Sequence, residues 1–136
     1  MSESTRRFDL SVLPDAVAIV RLSPDTKLPP WATQAAFFSV TRTSDELSIV
    51  CTERQVPSGV GAETGWRALK VAGPFALSEV GVLAALAGAL AKARVSLFAI
   101  STFDTDYLLV SDKQLPAAIA ALRNAGHRIE QSSAAS

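Results

Sequence analysis

WRALKVAGPFALSEVGVLAALAGALAKARVSLFAISTFDTDYLLV, residues Trp66 to Val110, is the stretch whose reading decides the fold. Its first six residues, Trp66–Val71, have the length and character of a strand, and Gly73-Pro74 ends it. Leu83, Leu86 and Leu90 recur at i, i+3 and i+7, so the spacing predicts a helix over Ser78–Ala93. The Ala and Gly residues between these leucines are small enough to let that helix lie close against a sheet. Two apolar strands follow, Val95–Phe103 and Asp106–Val110, with Asp104-Thr105 as a tight turn between them. Further on, Pro116–Ala125 reads as a second helix, with Pro at its start and Gly126 just past its end. His127–Glu130 can supply an edge strand, and residues 131–136, QSSAAS, read as a disordered tail. The order is β-α-β-β-α-β. Two interleaved crossovers of this kind put both helices on one face of an antiparallel sheet, a ferredoxin-like α+β sandwich.

The residues upstream read as strands separated by breakers. Phe8–Leu13 is short and stops at Pro14-Asp15, and Ala16–Leu22 is apolar and β-branched before the Ser23-Pro24-Asp25 turn. Pro29-Pro30-Trp31 opens a short irregular or helical piece. Phe37–Thr43 and Glu46–Thr52, with Ser44-Asp45 between them, have the pattern of a hairpin. Pro57-Ser58-Gly59-Val60-Gly61 is the richest breaker cluster in the chain. The expected boundary therefore falls there, with one unit over 1–61, a second over 62–130 and the tail beyond.

Composition sets the classes of function to consider. About half of the 136 residues are apolar, enough for a real core, and 13 basic residues balance 13 acidic ones. With no field of one sign and no basic stripe, nucleic acid is not an expected partner. Met1–Asp9 is polar and carries Arg6 and Arg7, without the apolar core of a signal peptide. The longest weakly charged run, Val80–Ala91, falls far short of the ~20 residues that span a bilayer. No membrane association is expected, and the cytoplasm is the expected compartment. The single cysteine, Cys51, cannot form an intramolecular disulfide, and its apolar run Leu47–Cys51 marks it as a buried strand residue.

Catalytic groups are scarce. The one histidine, His127, has no carboxylate and nucleophile spaced to make it a general base, so a structural or exposed role is expected. Asp104 and Asp106 form a D-x-D pair around a turn, where carboxylates are more often turn formers than cation ligands. No metal, no cofactor and no enzymatic activity are expected. More informative is the junction Leu77-Ser78-Glu79-Val80-Gly81-Val82-Leu83-Ala84. Ser78 is a candidate N-cap with Glu79 in the first turn, and exposed main-chain N–H groups at a helix start suit a carboxylate. Gly81 would either let a ligand approach the backbone or simply permit helix–sheet contact. The Ser101–Tyr107 turn offers hydroxyls and carboxylates that could hold an ammonium, or an ordinary polar turn with Phe103 and Tyr107 packing across strands.

Residues Leu69–Thr102 resemble the strand–loop–helix–strand of ACT domains, with Gly81-Val82-Leu83-Ala84 at the glycine-led helix start. The hairpin STFDTDYLLV, Ser101–Val110, is similar to that of the tandem-ACT subgroup that includes the CASTOR cytosolic arginine sensors of animals. FFSVTRTSDELSIVC (Phe37–Cys51) and ERQVP (Glu53–Pro57) resemble that subgroup's N-terminal unit. Ser78-Glu79-Val80 departs from the acidic-Arg-Pro that precedes the glycine in enzyme-attached ACT domains, the chain matches about half of an animal sensor, and no attached catalytic domain is expected. The resemblance implies two ACT-like ferredoxin-like units in tandem that bind a free amino acid for sensing or regulation. It implies that Glu79, Val80, Gly81 and Val82 hold the ligand by main-chain groups. Thr102, Phe103 and Asp106 then line the other wall, and Ser96 with Leu97 come from a facing unit. A homodimer is expected, since the apolar strand Val95–Ile100 would otherwise leave its edge uncovered, and an unidentified protein partner is compatible with this reading. The competing expectation is an interaction module that dimerises and binds no small molecule.

Overall fold

The computed structural model describes residues 6–76 and 78–131. In chain order its strands and helices are β1 (Asp9–Val12), β2 (Val17–Leu22), β3 (Phe38–Arg42), β4 (Leu47–Thr52), β5 (Glu63–Val71), α1 (Val82–Lys92), β6 (Phe98–Ser101), β7 (Asp106–Ser111), α2 (Leu115–Asn124) and β8 (Arg128–Gln131). Short 3₁₀ turns cover Pro30–Thr33, Glu53–Gln55 and Asp112–Gln114. The class is α+β with mainly antiparallel pairing, as the sequence predicts.

The described residues form two compact units, 15–66 and a second that joins the residues up to Pro14 to those from Arg67 onward. This differs from the expected division into 1–61 and 62–130. The reason lies in the alternation of the first strand. Phe8, Leu10 and Val12 are buried, and they enter the same core as Leu69, Val71 and Ile129. Leu10 sits across from Val71 and Val12 across from Leu69 in antiparallel register, while β1 runs parallel to β8 on its other side. The first strand is thus built into the C-terminal unit. The expected disordered tail, but for Gln131 at the end of β8, lies outside the described residues.

In the Asp15–Trp66 unit the strands lie in the order β3-β4-β2-β5, all antiparallel. That is the ferredoxin-like order, with 3₁₀ turns standing where the crossover helices stand in the other unit. The expected hairpin forms with Phe38 opposite Cys51 and Arg42 opposite Leu47, and the Thr43 hydroxyl accepts from the N–H groups of Asp45 and Glu46 to close the turn. Val20, Ala32, Leu47, Ile49 and Cys51 form its core. Burial pushes the Cys51 thiol above its ordinary pKa, so the sulfur stays protonated and packs as an apolar group.

The other unit orders its strands β8-β1-β5-β7-β6, so β1 is inserted between the first and last strands of the β-α-β-β-α-β pattern. Val82, Leu86 and Leu90 of α1 are buried with Leu115, Ala118, Ile119 and Leu122 around α2, and Leu83 packs partly against the same core. The helix begins at Val82, later than the expected Ser78, and Gly81 is its N-cap at φ 87°. The hairpin turn is also wider than expected: β6 stops at Ser101, paired with Asp106, leaving Thr102–Thr105 as the turn. The Thr102 hydroxyl accepts from the Thr105 N–H at 3.2 Å and donates to its carbonyl at 3.0 Å. No helix among the described residues is long and apolar enough to cross a membrane.

Truncating Leu86, which is fully buried, leaves a cavity that the surrounding strands cannot close. Leu86→Ala should lower the unfolding free energy by about 2–5 kcal/mol in denaturant titrations. Leu83→Ala, at a half-buried position, should lower it by clearly less.

Candidate functional site

The loop between β5 and α1 is held to the β6–β7 turn by three contacts within the unit. The buried Thr105 hydroxyl donates to the carbonyl of Val71 at 2.6 Å, and the Phe75 N–H donates to the carbonyl of Asp104 at 2.7 Å. Between them, Gly73 comes so near the turn that a Cβ there would stand 2.8 Å from the Asp104 carbonyl oxygen and 3.2 Å from Thr105 Cβ. Only glycine fits that approach. The Gly73-Pro74 bond is cis.

This clamp sets the start of α1 beside the hairpin turn, and a cavity of about 300 Å³ opens between them. Phe75, Ala76, Glu79 and Gly81 line it from the loop, Val82, Leu83 and Ala84 from the helix start, and Ser101–Asp106 from the hairpin. The first helical main-chain bond is from the Ala85 N–H to the Gly81 carbonyl, 3.0 Å, and no side chain caps the terminus. The N–H groups of Val82, Leu83 and Ala84 therefore precede the helical ladder and carry the positive end of the helix dipole. Opposite them on the hairpin are the carboxylates Asp104 and Asp106, Glu79 stands on the same side as the helix start, and among the described residues no Lys, Arg or His lines the cavity. Asp106 is half-buried and its Oδ1 accepts from the Ser101 hydroxyl at 2.5 Å. Asp104 is exposed in the turn. Glu79 is paired with Arg6, both of them partly exposed.

Of the residues singled out from the sequence, Glu79, Gly81, Val82, Thr102, Phe103 and Asp106 come together around this one cavity. Val80 does not line it; it is 81% exposed beside the rim, and Phe103, which does line it, is 76% exposed. Ser96 and Leu97 lie elsewhere, between α1 and β6, where Ser96 is exposed and Leu97 packs on the unit's core. For Gly81 the structure excludes one of the two expected roles, the helix–sheet contact. A Cβ there would meet nothing within 4 Å, so the glycine serves no helix–sheet contact, and its positive φ is what an ordinary side chain would resist. Gly73, Phe75 and Thr105 were missed as site-forming residues. Gly73-Pro74 reads locally as a strand stop, and the Thr105–Val71 bond joins residues 34 apart in sequence, which no local pattern announces.

A family model described as the ACT domain matches residues 61–124, which include every cavity-lining residue, and a second model, of an N-terminal domain, matches residues 15–59. A crystal structure of a protein from Agobacterium tumefaciens is 38% identical, covering 93% of this chain and 95% of that one at a TM-score of 0.88. The chain carries an ACT domain over residues 61–124. The bovine protein named cytosolic arginine sensor for mTORC1 subunit 1 is 32% identical over 102 residues, 69% of this chain. The ACT-domain chain spans only 31% of the length of that relative. At 12% identity, the regulatory subunit of aspartate kinase from Thermus thermophilus shares the fold, with a TM-score of 0.57 over 86% of this chain and 97% of that one.

Three substitutions at two glycines separate backbone strain from crowding in this ACT domain. Gly81→Val should reduce thermal stability, whereas Gly81→Asn should reduce it much less, because Asn tolerates the left-handed region and the space is open. Gly73→Ala should be destabilising despite its small size, since the added methyl meets a main-chain oxygen. Melting temperatures of the three variants check both statements.

Proposed function

We propose that this ACT-domain chain is a regulatory module that binds a free amino acid in the cavity between the α1 start and the β6–β7 turn. One juxtaposition carries the reading: uncapped main-chain N–H groups at Val82–Ala84 share a 300 Å³ cavity with the carboxylates of Glu79, Asp104 and Asp106. An α-amino acid presents one carboxylate and one ammonium at fixed separation, and these two walls supply opposite partial charges. The ACT domain and the arginine-sensor name of a relative support the same reading. We assign the ligand's carboxylate to the helix start and its ammonium to Asp106, with Thr102 and Phe103 as the wall beside it. The chain acts without catalysing a reaction, and in the cytoplasm. Val80 and Phe103 present apolar surface at the rim, and among the described residues β6 pairs only with β7, which supports a second copy that pairs along β6 and brings its Ser96 and Leu97 toward the ligand. Regulation of a protein partner would follow from that change in surface.

A thermal-shift panel of the standard amino acids tests the reading, because a ligand that binds only the folded chain must raise its melting temperature. At least one amino acid should do so; a flat panel would instead favour a module that dimerises and binds no small molecule. Asp106→Asn should weaken binding by roughly ten- to a hundredfold, the scale of one charge-assisted hydrogen bond, while Asp104→Asn changes it little. Equal losses in calorimetric titrations would show the Asp106 assignment to be wrong. Light scattering at micromolar concentration should return the mass of a dimer.

A further inference from the structure

Residues 6–8, just ahead of β1, touch both the cavity loop and the chain's one histidine. Phe8 is 4% exposed. Its ring stacks on the His127 imidazole at 5.5 Å and meets Phe75 edge-on at 5.9 Å. Its N–H donates to His127 Nδ1 at 3.1 Å, and its carbonyl accepts from the Arg128 N–H at 3.0 Å. Arg6 lies 4.9 Å over the Phe8 ring and pairs with Glu79. Phe75 and Glu79 both line the cavity.

The hydrogen bond at Nδ1 fixes the chemistry of the imidazole. An accepting Nδ1 carries no proton, so the ring is neutral with its proton on Nε2. Protonation would set an N–H on Nδ1 against the N–H of Phe8, two donors with no acceptor between them, in a buried position. Burial also holds the His127 pKa below 6.5. The charged groups on the surrounding elements are Arg6 and Arg7 on the N-terminal segment, Asp9 on β1, Glu79 on the cavity loop, Arg123 on α2, and Arg128 and Glu130 on β8. Asp9 and Arg128 approach to 4.0 Å, and Arg123 donates to the Ile129 carbonyl. The His127 N–H itself donates to the Leu122 carbonyl at the end of α2.

We propose that Arg6–Phe8 is a proton-sensitive strap: protonation of His127 releases Phe8, and release of Phe8 withdraws the strap from Phe75 and Glu79 in the cavity wall. The docked segment favours neutral His127, so docking is complete above the unperturbed pKa of about 6.5. It is lost as the pH falls from there through the lowered value of the docked state. The proposal concerns the unliganded chain and stands whether or not the cavity takes an amino acid.

A single histidine makes the test direct, because its imidazole resonances report one site. NMR titration of His127 is run beside amide exchange of Phe8, of Phe75 (bonded to Asp104) and of Glu79 (bonded to Ala76). All three amides should lose protection by about tenfold, the factor carried by one buried hydrogen bond, with the midpoint of the imidazole titration. In His127→Gln, neutral throughout, protection should not follow that midpoint. Substituting both Arg6→Gln and Phe75→Ala severs the strap from the loop and should move the His127 midpoint up toward 6.5. The proposal is overturned if Phe8 keeps its protection as His127 titrates, or if Phe8 loses it while Phe75 and Glu79 do not. An unchanged His127 midpoint in the double variant overturns it equally.

Discussion

The buried hydrogen bond from the Thr105 hydroxyl to the Val71 carbonyl joins the end of β5 to the β6–β7 turn, and the ACT unit's cavity depends on it. Val71 is fully buried, so its carbonyl has little water to turn to and a partner from the protein is needed. With that partner fixed, the loop after β5 must pass directly against the turn. Gly73 permits the passage by having no side chain, and the Phe75 N–H completes it on the Asp104 carbonyl. The helix start then has little freedom of position. Its uncapped N–H groups arrive opposite the hairpin carboxylates as a consequence of main-chain bonding, before any side chain in the cavity contributes.

The two sides of the cavity are held by different contacts. The hairpin side is set by paired strands, by the Thr102–Thr105 contacts and by the Ser101–Asp106 bond. The loop side, residues 72–81, has the Phe75 and Glu79 main-chain bonds and the contacts of Phe75 with Phe8 and Glu79 with Arg6. An exposed ion pair contributes at most about 1 kcal/mol, so the aromatic packing of Phe8 outweighs it. The first strand is therefore a core element, through Leu10 and Val12, and the segment just ahead of it packs on the loop wall of the site.

His127 shows why a lone histidine without a catalytic neighbour still has a specific task. Its Nδ1 accepts from the Phe8 N–H at the point where the chain enters β1, and its ring fills the space beside Phe8. Burial lowers its pKa and so favours the neutral ring. Lysine could not replace it, having no acceptor, and leucine would fill the space but leave the Phe8 N–H unsatisfied.

The sequence by itself determined the β-α-β-β-α-β order from Trp66 onward, because the leucine spacing at 83, 86 and 90, the Pro116 and Gly126 helix ends and the apolar strand runs are local signals. It also brought into view six residues that share the cavity, since the helix start and the hairpin turn each carry recognisable residue types. Local pattern placed the start of α1 at Ser78; the left-handed Gly81 moved it to Val82, a matter of backbone angle that composition does not display. Tertiary structure alone decided that β1 inserts between β8 and β5. A four-residue strand with two inward apolar side chains fits more than one sheet, and only the register with Val71 and Ile129 selects its neighbours. It alone decided, too, that Gly73, Phe75 and Thr105 build the site, because their partners lie about thirty residues away and hydrogen bonds across that separation leave no periodic trace in a sequence.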